Sequence, residues 1–194
     1  MEQTTLFWDD DRQEIVTHAV SATSPVGLSV RAVPGFPGLF RSARPGYPGR
    51  LVPDTALVDG IEVFRKRGIS DIFCLLTDGE YFTYYGKDLV KHYRNVGFNV
   101  HRFPIMDHGV PRVELAYRMA REMDDALRDK RKAVVHCSAG VGRTGLAVNC
   151  LAEWVRCRDG RVVAAVDTQT MAQQNFVVHF RAHVMDQLKK RRKA

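Results

Sequence analysis

The segment of residues 136–145, HCSAGVGRTG, holds a thiol and a guanidinium at a spacing suited to chemistry on an anion. Cys137 and Arg143 are separated by five small or apolar residues, among them Gly140 and Gly142. Such a loop turns backbone N–H groups inward around an anion, while arginine pairs with two phosphate oxygens. A helix starting just after the loop adds its positive end and favours the thiolate of Cys137, the nucleophilic form.

We therefore predict a phosphate-binding loop with a cysteine nucleophile. Its anion-binding residues are expected to be Ser138, Ala139, Gly140, Val141, Gly142 and Arg143. The spacing alone is weak evidence, since Cys150 and Arg156 repeat it inside a predicted helix that has no intervening glycine. A buried cysteine in a glycine turn is the alternative for Cys137, but it leaves the arginine and both glycines without a role. Core packing accounts for the other three cysteines, which we expect to be reduced.

A second group is Asp107, which stands in the run DHGVP thirty residues before Cys137. An alcohol or phenol leaving from phosphate needs a proton, and a carboxylic acid on a mobile loop can donate it. Taken alone, an aspartate before a helix is more often an N-cap. A third polar group, Gln169 with Gln173, stands at the start of the last predicted helix, where polar residues are common.

Alternating strands and helices are predicted to position these groups. The predicted strands are residues 14–20, 28–33, 39–41, 71–76, 98–105 and 133–135. The predicted helices are residues 54–67, 83–96, one opening at residue 111, 144–158 and 171–190. This alternation indicates an α/β fold, a single layered domain whose central, mostly parallel, twisted sheet is flanked by helices.

The length of 194 residues suits one domain with a sizeable core. We predict an N-terminal segment, 1–35, packed on a catalytic domain, 36–188, followed by a basic tail, 189–194. The tail carries five of the cations behind the net charge of +7. A solvated helix end explains it better than docking on an acidic partner, which is the alternative.

No apolar run is long enough to cross a bilayer, and the first residues do not resemble a secretory signal. We therefore expect a cytoplasmic protein. Neither a stable nucleic-acid complex nor a membrane association is expected.

The ten residues from His136 to Gly145 resemble the signature of the protein tyrosine phosphatase superfamily. The resemblance implies that Cys137 forms a phosphocysteine, that Thr144 hydrogen-bonds the departing thiolate, and that His136 braces the loop. It also makes Asp107 the general acid. Gln169 is then expected to position the hydrolytic water with help from Gln173, and neither a metal nor another cofactor is required.

Two further stretches, Gly68–Phe73 and Thr77–Glu80, are similar to the kinase-associated dual-specificity phosphatases, the cyclin-dependent kinase inhibitor 3 family. The resemblance implies a phosphorylated protein as substrate, with phosphotyrosine and also phosphoserine or phosphothreonine as targets. The alternative substrates are inositol phosphates, phosphoinositides and RNA 5′-phosphates. Each extra phosphate needs its own donors, and residues 138–142 hold no lysine or arginine, which counts against this alternative.

Two regions have open interpretations. Tyrosines and a phenylalanine at positions 81, 82, 84 and 85 either line the rim of the pocket or anchor a helix. The segment Phe40–Pro45 either approaches the site or, the interpretation we favour, is an edge strand with exposed arginines.

Overall fold

The computed structural model of the chain describes residues 4–9, 14–19 and 28–193, with side chains over 28–191. Strands β1 (Thr4–Asp9) and β2 (Glu14–Ala19) pair antiparallel as a separate two-stranded sheet. The side chains of residues 1–27 lie outside the described part, so the predicted packing of residues 1–35 on the domain stays a prediction.

The central sheet has five strands in the order β3-β4-β7-β5-β6. They are β3 (Val30–Ala32), β4 (Leu39–Ser42), β5 (Asp71–Cys74), β6 (Asn99–Arg102) and β7 (Ala133–His136). All neighbours are parallel except the β3–β4 pair at one edge. The predicted mostly parallel sheet is therefore confirmed.

In the described part of the chain, six helices surround this sheet. They are α1 (Asp54–Lys66), α2 (Asp78–Tyr85), α3 (Leu89–Asn95), α4 (Val113–Arg128), α5 (Gly142–Asp159) and α6 (Met171–Lys193). The single helix predicted over 83–96 is wrong, because Gly86 takes a left-handed conformation (φ 62°) and ends α2. Asp88 then caps α3 by accepting a hydrogen bond from the amide of Lys91 at 2.9 Å.

Two apolar clusters make this a three-layer α/β/α domain. Side chains alternate along β5, so Phe73 joins one cluster and Ile72 the other. Helices α4, α5 and α6 cover the first cluster, and α1, α2 and α3 cover the second. The sheet thus has both faces buried, as parallel sheets require.

The register of the sheet brings the ends of four strands to the same level. Ser42 and Cys74 both lie opposite His136, and Arg102 lies opposite Cys74. The segments that follow these strands therefore meet at one carboxyl edge, where α/β proteins place their ligands.

Two features concern the ends and length of the helices. Residues 189–193 continue α6, so most of the predicted basic tail is helical. Among the described helices, none is both long and apolar enough to traverse a bilayer.

Candidate active site

The loop of residues 137–143 connects the central strand β7 to the first turn of α5. Cys137 is only 2% exposed, and the amide of Gly140 donates a hydrogen bond to its sulfur at 3.3 Å. Gly140 has a φ of 76°, and a Cβ there would overlap the backbone of Ser42 and Ala43. The loop thus needs glycine at this position both for conformation and for space.

Arg143 is held by a carboxylate that sequence reasoning did not assign to the site. The Nη1 and Nη2 atoms of Arg143 donate to the two oxygens of Glu80, each at 2.8 Å. Nη1 also donates to the carbonyl of Ile105 at 2.9 Å. Glu80 itself closes a capping box with Thr77 at the start of α2, which fixes the position of its carboxylate. The signal in the sequence was the Thr-x-x-Glu pattern, but nothing local connects it to Arg143.

This pair has a clear electrostatic consequence. Partial burial alone would raise the pKa of Glu80, but hydrogen bonds from Arg143 and Thr77 outweigh it and lower the pKa. The carboxylate is therefore ionised, and it orients the guanidinium in the bidentate geometry that arginine favours.

Asp107 lies over the same guanidinium. Its Oδ1 is 3.0 Å from Nη2 of Arg143, and its side chain is 57% exposed. Helix α4 begins six residues later and has Arg112 at its N-cap, so Asp107 does not cap it. The carboxylate is thus placed beside the group expected to bind phosphate.

The donors of Arg143 are divided between the protein and the open side. A guanidinium has five N–H groups. Glu80 and Ile105 accept hydrogen bonds from Nη1 and Nη2, and Asp107 forms an ion pair with Nη2, whereas Nε has no hydrogen-bond partner within residues 28–191. A phosphate can therefore bind to Nε and, by displacing Asp107, to Nη2.

The glutamine pair connects the start of α6 to the acid loop, residues 106–111. The Oε1 of Gln173 accepts from the amide of Gln169 at 3.0 Å, and its Nε2 donates to the carbonyl of Gly109 at 3.3 Å. A Cβ at Gly142 would overlap the side-chain oxygen of Gln169. Gln169 therefore lies against the phosphate loop, and Gln173 joins it to the loop that carries Asp107.

The segment before Gln169 is held against α5 by one buried amide. Asn149 donates to the carbonyl of Val166 at 2.8 Å and accepts from its amide at 2.9 Å. One turn earlier in α5, a Cβ at Gly145 would overlap the carbonyl of Asp167. Small and amide side chains on one face of α5 thus place the glutamine segment, a role that sequence reasoning did not assign to Asn149.

His136 is fully buried at the end of β7. Its Nδ1 lies 3.3 Å from the carbonyl of Cys137 and its Nε2 lies 3.4 Å from the hydroxyl of Tyr93. Burial, aided by the charges of Arg143 and Arg44, lowers the pKa of His136 to about 4. A neutral ring can donate to the carbonyl and accept from the hydroxyl, an arrangement that suits bracing the loop.

The hydroxyl of Thr144 is buried and has no hydrogen-bond partner within residues 28–191. The bond from Thr144 to the Cys137 sulfur that the resemblance implies is therefore not formed in the structure. Its role stays a prediction. The four cysteines are all unpaired, and burial raises the pKa of Cys74 to about 12, which keeps it a thiol.

The favoured interpretation of Phe40–Pro45 as an edge strand with exposed arginines is wrong. Strand β4 lies between β3 and β7, and Arg44 is only 1% exposed, with its guanidinium 3.7 Å from the ring centre of Tyr84. In the aromatic run, Tyr81 and Tyr85 are buried anchors, whereas Phe82 is exposed. The interpretation as a helix anchor is therefore confirmed for Tyr81 and Tyr85, and the interpretation as a pocket rim stays a prediction.

Comparison with known proteins gives the family. The model of the cyclin-dependent kinase inhibitor 3 family matches residues 13–159, about three quarters of the chain. The chain belongs to this family. The match spans strands β2 to β7, the acid loop and the phosphate loop, and it ends before the glutamine segment.

Named relatives agree with this assignment. Cyclin-dependent kinase inhibitor 3 from Homo sapiens is 31% identical over 131 residues, covering 62% of this chain and 61% of that protein. The crystal structure of kinase associated phosphatase with its catalytic cysteine replaced by serine superposes with a TM-score of 0.66. It is 24% identical and covers 84% of this chain and 97% of that one, which confirms the fold.

A third relative comes from another branch. A phosphatidylinositol 3,4,5-trisphosphate 3-phosphatase of Dictyostelium discoideum, cnrN, is 28% identical over 110 residues. The match covers 54% of this chain but only 16% of that protein.

Among the described residues of this cyclin-dependent kinase inhibitor 3 family member, no three His, Cys, Asp or Glu side chains converge as metal ligands.

Proposed function

We propose that the protein hydrolyses phosphotyrosine, and also phosphoserine or phosphothreonine, in protein substrates through a phosphocysteine intermediate. The observation that carries this proposal is the meeting of Cys137, Arg143 and Asp107 at one edge of the sheet. Family membership supports it. The chain spans 61% of the length of human cyclin-dependent kinase inhibitor 3.

In the first step, the substrate phosphate binds to the loop amides, with two oxygens on Nε and Nη2 of Arg143. This displaces Asp107 from the arginine and frees it to approach the leaving oxygen. The thiolate of Cys137 attacks phosphorus, the S–P bond forms and the ester P–O bond breaks. Asp107 transfers its proton to the departing oxygen, which leaves as an alcohol or a phenol.

In the second step, Gln169 orients a water molecule towards the thiophosphate. Asp107, now a carboxylate, takes a proton from this water as its oxygen attacks phosphorus. The S–P bond breaks, inorganic phosphate leaves and the thiolate is restored. Gln173 holds Gln169 and the acid loop together through the oxygen and the nitrogen of its side-chain amide.

The rim of the pocket supports a protein substrate. Three exposed apolar side chains are close in sequence to the reacting groups: Met106 precedes Asp107, Val141 lies inside the phosphate loop and Met171 follows the glutamine segment. Apolar side chains around the phosphate site suit a peptide, whereas a polyanion needs further cationic donors. The relative named as a phosphoinositide phosphatase keeps a lipid headgroup as the second candidate.

Phosphate release from a substrate panel tests this proposal. The panel holds a phosphotyrosine peptide, a phosphothreonine peptide, a phosphoinositide and a 5′-triphosphate RNA, each with a metal chelator. We expect the phosphotyrosine peptide to be hydrolysed, with Cys137→Ser inactive and Asp107→Asn reduced by about 10² to 10⁴. Cys157→Ser and Asp125→Asn are the matched controls, and we expect them to keep full activity.

Three outcomes are informative. A clear preference for the lipid or the RNA would replace the protein substrate with the second class while keeping the chemistry. Full activity of Cys137→Ser on every substrate would refute the mechanism. If the unsubstituted protein is active without the chelator and inactive with it, a metal takes part.

The remaining assignments are also proposals. The division into 1–35, 36–188 and 189–194 and the cytoplasmic location rest on the sequence. Removing residues 189–194 is expected to leave hydrolysis of a small aryl phosphate unchanged, since the reacting groups lie at the opposite end of α6. If these cations dock on an acidic protein substrate, their removal would instead raise KM for that protein and leave KM for the aryl phosphate unchanged.

A further inference from the structure

Arg44 is a buried cation in direct contact with the phosphate loop. It lies two residues beyond the end of β4, and its amide donates to the carbonyl of Ser138 at 3.0 Å. Its Nε donates to the hydroxyl of Ser138 at 3.4 Å, and its Nη2 donates to the carbonyl of Gly49 at 2.5 Å. The side chain thus joins the phosphate loop to the segment of residues 45–52.

Within residues 28–191, no carboxylate neutralises the charge of Arg44. None of the ion pairs formed within residues 28–191 includes it, and its Nη1 is buried without a hydrogen-bond partner there. Burying an unpaired charge is costly, so a fold that retains one needs a compensating interaction. The rings of Tyr47, Tyr84 and Tyr85 lie within 6 Å of the guanidinium and provide part of it through cation–π attraction.

An anion bound at the loop would provide the rest. The guanidinium of Arg44 lies at the loop, since its Nε is 3.4 Å from the hydroxyl of Ser138. Its charge also adds to burial and Arg143 in lowering the pKa of His136 next to Cys137. A thiolate at Cys137 and a phosphate on the loop are the negative charges that this position can stabilise. Arg143 binds the anion from the open side, whereas Arg44 lies behind Ser138.

We propose that Arg44 is a positioning residue of the phosphate loop, which holds Ser138 in its anion-binding conformation and places a permanent positive charge behind the bound anion. This inference rests on the proposed function. It differs from a purely structural role, in which Arg44 would only pin residues 45–52 to α2 through Tyr84. A structural role affects the fraction of folded protein, but it leaves the affinity of the folded loop for an oxyanion unchanged.

The test compares Arg44→Gln and Arg44→Lys with the control Arg50→Gln. The control removes the same charge from an exposed position next to Gly49. The measurements are KM and kcat for p-nitrophenyl phosphate, the inhibition constant of tungstate, an unreactive tetrahedral dianion, and the melting temperature. Counting active sites by titration separates a smaller folded fraction from weaker binding.

We expect Arg44→Gln to raise both KM and the tungstate inhibition constant by on the order of tenfold, the effect of a lost charge-assisted hydrogen bond. Arg44→Lys keeps the charge and is expected to recover most of this loss. Arg50→Gln is expected to match the unsubstituted protein. Unchanged tungstate affinity in folded Arg44→Gln, or an equal loss in Arg50→Gln, would overturn the inference.

A double-mutant cycle decides the matter if Arg44→Gln does not fold. Arg44→Lys keeps the charge but loses the hydrogen bond from Nε, so its residual loss of tungstate affinity is expected when Ser138 is present and is expected to disappear in Ser138→Ala, because the two residues share one contact. Equal effects in both backgrounds would overturn the inference. If the unsubstituted protein does not hydrolyse p-nitrophenyl phosphate, the proposed function fails. If it does, and the Arg44 variants have the same KM and tungstate inhibition constant, only this inference fails.

Discussion

Replacing Glu80 with glutamine tests whether the carboxylate behind Arg143 organises the site. In the structure this side chain accepts two hydrogen bonds from the guanidinium at 2.8 Å, besides those from Thr77. Glutamine keeps the size and one acceptor oxygen. It presents an N–H group where the second oxygen was, so one of the two bonds to Arg143 is lost and the remaining one is no longer charge-assisted on both sides.

The magnitude follows from these contacts. A hydrogen bond to a charged group contributes about 1.5–3 kcal/mol, which corresponds to roughly 10- to 150-fold in affinity or rate. Arg143 is 1% exposed on its side chain, so water cannot replace the lost acceptor. We expect kcat/KM for p-nitrophenyl phosphate to fall by about this factor, with a weaker hold on tungstate. Part of the free energy will appear as a lower melting temperature.

The assay compares Glu80→Gln with Asp78→Asn, which removes a carboxylate from the same helix turn. Asp78 pairs with Arg102 and not with Arg143, and its side chain is 63% exposed. The control is therefore expected to change kcat/KM less than twofold, as exposed ion pairs contribute little. A carboxylate near a phosphate also repels it. If repulsion were its main effect, Glu80→Gln would bind tungstate more tightly, and that result would refute the reasoning.

Three further predictions concern the loop and its supports. The free energy of unfolding should fall by up to ~3 kcal/mol as pH drops from about 6.5 to about 4, because unfolded His136 binds a proton that the buried ring excludes. Urea titrations of His136→Asn should show a shallower fall with pH. An equal fall in both proteins would count against this reasoning. Gly140→Ala should abolish turnover and lower the melting temperature, because the added Cβ would overlap the backbone at the end of β4. The control Gly79→Ala adds a Cβ where no atom lies within 4 Å, so its melting temperature should be unchanged or higher. Gln173→Leu should slow hydrolysis of the phosphocysteine, so that rapid-quench kinetics show a burst of the dephosphorylated product. The exposed control Gln174→Leu should show no burst. A slower first step without a burst would contradict the role assigned to Gln173.

Sequence reasoning worked best where the relevant residues are close along the chain. The loop of residues 137–143 carries its nucleophile, glycines and arginine together, and its place between β7 and α5 follows from the apolar runs on either side. The parallel sheet followed from alternating strands and helices. The break between α2 and α3 was missed, because Gly86 and Asp88 were read as helix interior although they are a stop and a cap.

The partners that lie far along the chain could not be predicted in this way. Glu80 is 63 residues from Arg143, and Arg44 is 94 residues from Ser138. Their contacts depend on the register that sets the ends of β4, β5 and β7 side by side, which local patterns do not encode. The same register explains why an arginine expected on the surface is buried behind the loop.

The most direct test of the central claim is to trap the covalent intermediate. The protein would be mixed with a phosphotyrosine peptide, quenched in acid within the first turnovers and digested, and its peptides would be analysed by mass spectrometry. The account predicts a phosphoryl group on the peptide that contains Cys137, and none on it in Cys137→Ser. Steady phosphate release without any adduct at Cys137, together with an active Cys137→Ser, would contradict it.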